Sequence, residues 1–121
     1  MKKIAFFSLV ALVLSCAGKQ NLSPSETAKL VAESFYHGDK TTLKEYTTAS
    51  GYANLSSIQE MFIENKDSKS NFKVLDEQKE GEVTWIKYST SYDRKPGIFK
   101  LVNEDGQWKV THNGPRDKGP F

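Results

Sequence analysis

The residues able to do chemistry in this chain are few: two histidines, His37 and His112, a single cysteine, Cys16, and five tyrosines. A structural or catalytic zinc needs three or four convergent ligands. Two isolated histidines and a lone cysteine do not supply them, so neither a metal centre nor a cofactor is expected. No Gly-rich phosphate loop occurs, and no Ser-His-Asp ordering stands out among the many serines. What remains is an imidazole, His112, near Trp108 and Val110, and a set of tyrosines that includes Tyr88 and Tyr92. Each tyrosine offers an apolar ring and a hydroxyl, a combination suited to a ligand with an apolar body and a polar end. His37 and Asp39 flank a glycine and read as the end of one helix and the cap of the next.

Cys16 has a different setting. It follows MKKIAFFSLVALVLS, in which two lysines precede an apolar run over residues 4–14 and then Ser15. A run of 11 residues falls short of the ~20 that span a bilayer and within the ~7–15 of a secretory signal. Val13, Leu14 and Ser15 ahead of Cys16 resemble the bacterial lipobox. That resemblance implies a thiol alkylated by a diacylglyceryl group, cleavage before Cys16 and an acylated new amine. Residues 1–15 are then a signal peptide, 16–22 the lipidated cysteine and its tether, and the lipid bilayer is the first expected partner. Ala17 is not the aspartate that retains many enterobacterial lipoproteins at the inner membrane. No acidic cluster follows Cys16 to mark surface export, so the expected location is the outer membrane, facing the periplasm.

Loss of Lys2 and Lys3 with the leader leaves 15 basic side chains against 15 acidic ones. A neutral domain without a basic stripe does not suit nucleic acid, whose affinity rests on neutralising phosphates. With Cys16 acylated no disulfide forms within the chain. About a hundred residues then have to fold around one hydrophobic core.

The patterning divides residues 23–113 into a helical half and a stranded half. Ser23-Pro24-Ser25-Glu26 is a capping box with proline at the first helical position. Ala28, Val31, Ala32, Phe35 and Tyr36 follow at helical spacing. Asp39 caps a second short helix with Leu43 and Tyr46 inward, and a third is expected from about Asn54, burying Leu55, Ile58, Met61 and Phe62. Residues 64–70 hold no apolar side chain and mark a loop. The period then changes to 2, with strands expected over 72–78, 82–92, 97–103 and 107–113. Turns fall at Glu80-Gly81, Lys95-Pro96-Gly97 and Glu104-Asp105-Gly106. Residues 114–121, rich in proline and glycine, read as a frayed tail.

Helices followed by an antiparallel meander make an α+β domain, helices packed on a curved four-stranded sheet. The order, with "FYHGD", "GEVTWIKYS" and "EDGQWKVTH", resembles the cystatin-like cone of the nuclear transport factor 2-like (NTF2-like) superfamily, especially small bacterial lipoproteins carried as a domain of unknown function. Cystatin and pilotin-type lipoprotein folds are the alternatives. The resemblance implies a bent sheet with a pocket at its open end. Alternation gives the inward sets: Trp108, Val110 and His112; Phe99, Leu101 and Asn103; Thr84, Ile86, Tyr88, Thr90 and Tyr92. Val83 and Trp85 make the other face of the second strand partly apolar, which fits a homodimer through the sheet.

Proton-moving members of the superfamily, the ketosteroid isomerases, combine an aspartate base with a tyrosine and a neutral aspartic acid. The inward sets here contain no carboxylate. Tyr88, Tyr92, Asn103 and His112 are therefore expected to orient a ligand. The expected function is that of a non-enzymatic, membrane-anchored periplasmic lipoprotein that binds a small apolar ligand or an envelope protein. The alternatives are a cofactor-free lyase, isomerase or hydrolase using His112 with a tyrosine, and a scaffold with a filled cone.

Overall fold

The computed structural model describes residues 21–114 and 116–121. Cys16 and its leader lie outside them. The first helix, α1 (Pro24–Tyr36), opens as its sequence demands. The Ser23 hydroxyl accepts the Glu26 amide N–H at 3.1 Å, and the Glu26 carboxylate accepts the Ser23 N–H at 2.9 Å. Ala28, Val31, Ala32 and Phe35 form the buried stripe. Gly38 reverses the chain at φ +72°, and Asp39 caps α2 (Lys40–Glu45) by accepting the Thr42 N–H at 3.1 Å. That hydrogen bond holds the Asp39 carboxyl below the usual carboxylate range. Leu43 is fully buried.

The third helix, α3 (Ala49–Ile58), starts ahead of the expected Asn54 because Thr48 caps it, accepting the Gly51 N–H at 3.1 Å. The approach to the sheet fixes this position. Val110 donates its N–H to Tyr46 O, and Thr48 donates its own to Val110 O, each at 2.9 Å. A Cβ on Gly51 would sit 2.5 Å from the Val110 carbonyl oxygen. Gly51→Ala gains about 1 kcal/mol of helix propensity but forces α3 off the strand, an overpacking cost of about 1–3 kcal/mol. A net loss of about 0–2 kcal/mol in denaturant melts is expected. A more stable variant would show that the contact is loose.

A 3₁₀ turn (Gln59–Met61) extends α3. Gln59 is completely buried and ties the end of α1. Its Nε2 donates to the carbonyls of Ser34 at 3.1 Å and Phe35 at 3.0 Å, and its Oε1 accepts from Lys40 Nζ at 2.6 Å. Because Gln59 takes the inward position, Met61 and Phe62 turn out to solvent instead of entering the core, 72% and 44% exposed.

The sheet is a four-stranded antiparallel meander, β1 (Lys73–Glu80), β2 (Val83–Thr90), β3 (Asp93–Glu104) and β4 (Gln107–Thr111), in sequential order. Asp105 and Gly106 both take positive φ, 54° and 84°, the type I′ requirement. The expected turn at Lys95-Pro96-Gly97 is not there: the chain reverses at Ser91 and Tyr92, and Pro96 lies inside β3. Pro96 falls in the register shift between the Tyr88–Gly97 and Thr90–Asp93 pairs, before the first β4 partner at Lys100. Its missing N–H breaks no regular ladder there.

The alternation places Thr84, Ile86, Phe99, Leu101 and Val110 inward and buried, as the sequence implies. Trp85 faces outward, yet it is 4% exposed. The C-terminal segment, expected as a frayed tail, lies on it: a Cβ on Gly119 would sit 2.4 Å from the indole, and the Phe121 ring reaches Lys87. An apolar outer ring is what holds that segment to the sheet. Register shifts occur in β1 between Val74 and Asp76 and in β2 between Tyr88 and Thr90, next to each other in the sheet. Such irregularities bend strands and leave an opening between this end of the sheet, the end of α1, and α3. Among the described residues, every member of the buried cluster lies between Ala28 and Val110.

Candidate functional site

The opening is a groove of about 190 Å³, floored by Tyr88 and Phe99 and walled by Phe35 and Tyr36 of α1, Leu55 and Ile58 of α3, and Phe62. Its polar lining is small. The hydroxyls of Tyr36 and Tyr88 have no hydrogen-bond partner among the described residues, and Asp93, the first residue of β3, contributes a carboxylate at the rim.

Tyr88 owes its place to a glycine. Its cross-strand partner is Gly97, and a Cβ there would meet the Tyr88 Cζ and hydroxyl oxygen at 2.4 Å. The ring therefore lies across the backbone of β3, stacked on Phe72 at 5.2 Å between centroids and tilted on Phe99 at 4.7 Å. Burial pushes the Tyr88 phenol well above its ordinary pKa, with Tyr36 and Asp93 adding to the shift. Tyr36 is raised for the same leading reason, with Asp93 and then Glu64 contributing. Both phenols stay protonated at neutral pH and can donate or accept.

Of the four residues expected at a ligand site, the groove contains Tyr88 alone. Tyr92 sits in the turn after β2, and its hydroxyl meets His37 Nε2 at 3.0 Å, Ser68 Oγ at 2.8 Å and the Ser68 carbonyl at 3.1 Å. It pins the 64–70 loop to the end of α1, and its ring lies tilted against that of Tyr36, 4.8 Å between centroids. Asn103 serves the last hairpin, accepting the Gly106 N–H at 2.9 Å. It lines a separate depression with Trp108, Lys79 and Glu82. That depression is larger, about 560 Å³, but Trp108 is the single aromatic ring it offers. His112 lies just past β4, exposed, in a neighbouring cleft of about 170 Å³ that shares Leu55 and Phe99 with the groove. Asp93 is the residue that sequence reasoning missed. It stands next to the true turn, so misplacing that turn kept the carboxylate off the inward list, and the Ser89-Thr90-Ser91 run was the weak signal that could have found it.

Among the described residues no group of three or more His, Cys, Asp or Glu side chains is arranged to hold a metal ion. No described helix is long and apolar enough to cross a membrane. No family model and no curated protein matches the sequence. A solved structure does: the crystal structure of a Campylobacter jejuni protein, provisionally called an NTF2-like transpeptidase, superposes with a TM-score of 0.56. The two are 14% identical, and the match covers 76% of this chain and 100% of that one. The fold is NTF2-like. The helices packed on a bent antiparallel sheet are the NTF2-like cone. The likeness is one of fold, and the word transpeptidase belongs to the Campylobacter protein.

Proposed function

We propose that this chain is a lipid-anchored protein of the bacterial envelope whose NTF2-like domain binds a small ligand, with an apolar body and a polar end, in the groove over Tyr88. One observation carries the reading: an apolar, aromatic groove is left open to solvent, and the phenol hydroxyls of two of its lining residues, Tyr36 and Tyr88, have no hydrogen-bond partner among the described residues. A closed scaffold would fill that space with side chains, as it fills the rest of the core. The lipobox around Cys16 supports the anchor, and the outer membrane facing the periplasm is the proposed location. Catalysis by His112 with a tyrosine gains no support, because the imidazole opens on the neighbouring cleft and neither Tyr36 nor Tyr88 lines it.

The soluble domain, residues 20–121, titrated with the neutral fluorophore N-phenyl-1-naphthylamine, tests the reading. Saturable enhancement is expected. Ile58→Trp, which fills the groove, is expected to weaken it at least tenfold, and His112→Ala to leave it unchanged. No saturable binding by the wild-type domain would end the ligand reading in favour of a protein partner.

A further inference from the structure

The charge at the groove is of one sign. Asp93 is the charged residue in its lining, Glu64 lies close enough to act on the same Tyr36 phenol, and no lysine or arginine lines the groove among the described residues. The Glu64 backbone N–H donates to the Tyr36 carbonyl at the end of α1. The walls add a second, independent preference. Phe35, Tyr36, Phe62, Tyr88 and Phe99 surround the space, and aromatic faces attract cations through their quadrupole, more so where water is displaced. An anionic head would meet the Asp93 carboxylate and, against any ring face, a quadrupole that repels it.

Size adds a limit. About 190 Å³ has room for roughly six water-sized groups, so the groove takes one end of a ligand and not a whole lipid. Phe62, which lines the groove, is 44% exposed, and its chain neighbours Met61 and Ile63 are 72% and 48% exposed, so a longer hydrocarbon body can leave the groove on the Phe62 side. From this geometry we infer that the ligand is a cationic amphiphile, an ammonium group on an apolar chain, with its charge between Asp93 and the aromatic faces and its chain on the Phe62 side. The inference rests on the reading of the groove as a ligand site and adds the sign of the ligand's charge. The domain of residues 20–121 is close to neutral, 14 basic against 15 acidic side chains, so the selectivity belongs to the groove and not to a general field.

Three probes of equal chain length, each below its micelle concentration, test it on the domain of residues 20–121: decyltrimethylammonium, decyl maltoside and decyl sulfate, followed by calorimetry. The expected order is ammonium tightest, at least tenfold over maltoside, with sulfate weakest. Asp93→Asn is expected to remove most of the ammonium advantage while leaving maltoside affinity within twofold, and Glu64→Gln to remove part of it. Maltoside bound as tightly as ammonium would overturn the inferred charge and leave the ligand site standing. Failure of all three to bind would overturn the site itself. An ammonium advantage unchanged in Asp93→Asn would place the cation elsewhere and overturn the assignment.

Discussion

Gly97→Val closes the groove. A β-branched side chain at this position cannot coexist with the Tyr88 phenol, because the first carbon alone would lie 2.4 Å from Cζ and from the hydroxyl oxygen, and 2.9 Å from Cε1. The ring has little freedom to slide, with Phe72 stacked on it and Phe99 tilted against it. The space left to it is the groove, so the phenol swings in and occupies the place of a ligand. Overpacking of this kind costs about 1–3 kcal/mol, offset by less than about 1 kcal/mol of strand preference for valine over glycine. Probe affinity is expected to fall more than tenfold in the same variant. Adding Tyr88→Leu relieves the clash, so the double variant is expected to be more stable than the sum of the two single changes, by about 0.5–3 kcal/mol of coupling. Equal stability and equal binding for Gly97→Val and wild type would mean that the ring does not lie across this strand.

The same pair of residues shows what could be read from the sequence. Tyr88 was legible as an inward position because Thr84, Ile86 and Tyr88 alternate with Val83, Trp85 and Lys87, and a period of 2 commits the whole strand once one face is assigned. Asp105-Gly106 announced its turn because few other dipeptides accept two positive φ angles. The turn at Ser91 and Tyr92 carries no such signature, and Pro96 nearby offered a stronger one. Its tolerance inside β3 depends on where β4 ends, a tertiary fact. Gln59 hid for a related reason. Polar residues are seldom fully buried, and this one is buried because the open carbonyls of α1 need donors. Its burial is what exposes Met61 and Phe62, so their exposure had no sequence signal of its own.

Cys16→Ser is expected to have the largest effect on where the protein is found. In the proposed anchor the sulfur carries two acyl chains and the new amine a third, each buried methylene contributing about 0.8 kcal/mol. A single chain of myristoyl length binds membranes only marginally, with a constant of about 10⁴ M⁻¹, and a second makes the attachment stable. The 15 acidic and 15 basic side chains from Cys16 onward balance, so electrostatic adhesion supplies no comparable alternative. Wild-type protein is therefore expected to stay with membranes through a wash in 1 M salt, where charges are screened beyond about 3 Å. The serine variant is expected to carry no label after growth in radioactive palmitate and to keep the electrophoretic size of the precursor with residues 1–15. An ordinary secretory signal behaves otherwise: the variant is cleaved, released in soluble form and indistinguishable from wild type, and neither protein takes up label. Palmitate retained by Cys16→Ser would assign the acyl group to another residue and remove this cysteine from the anchor.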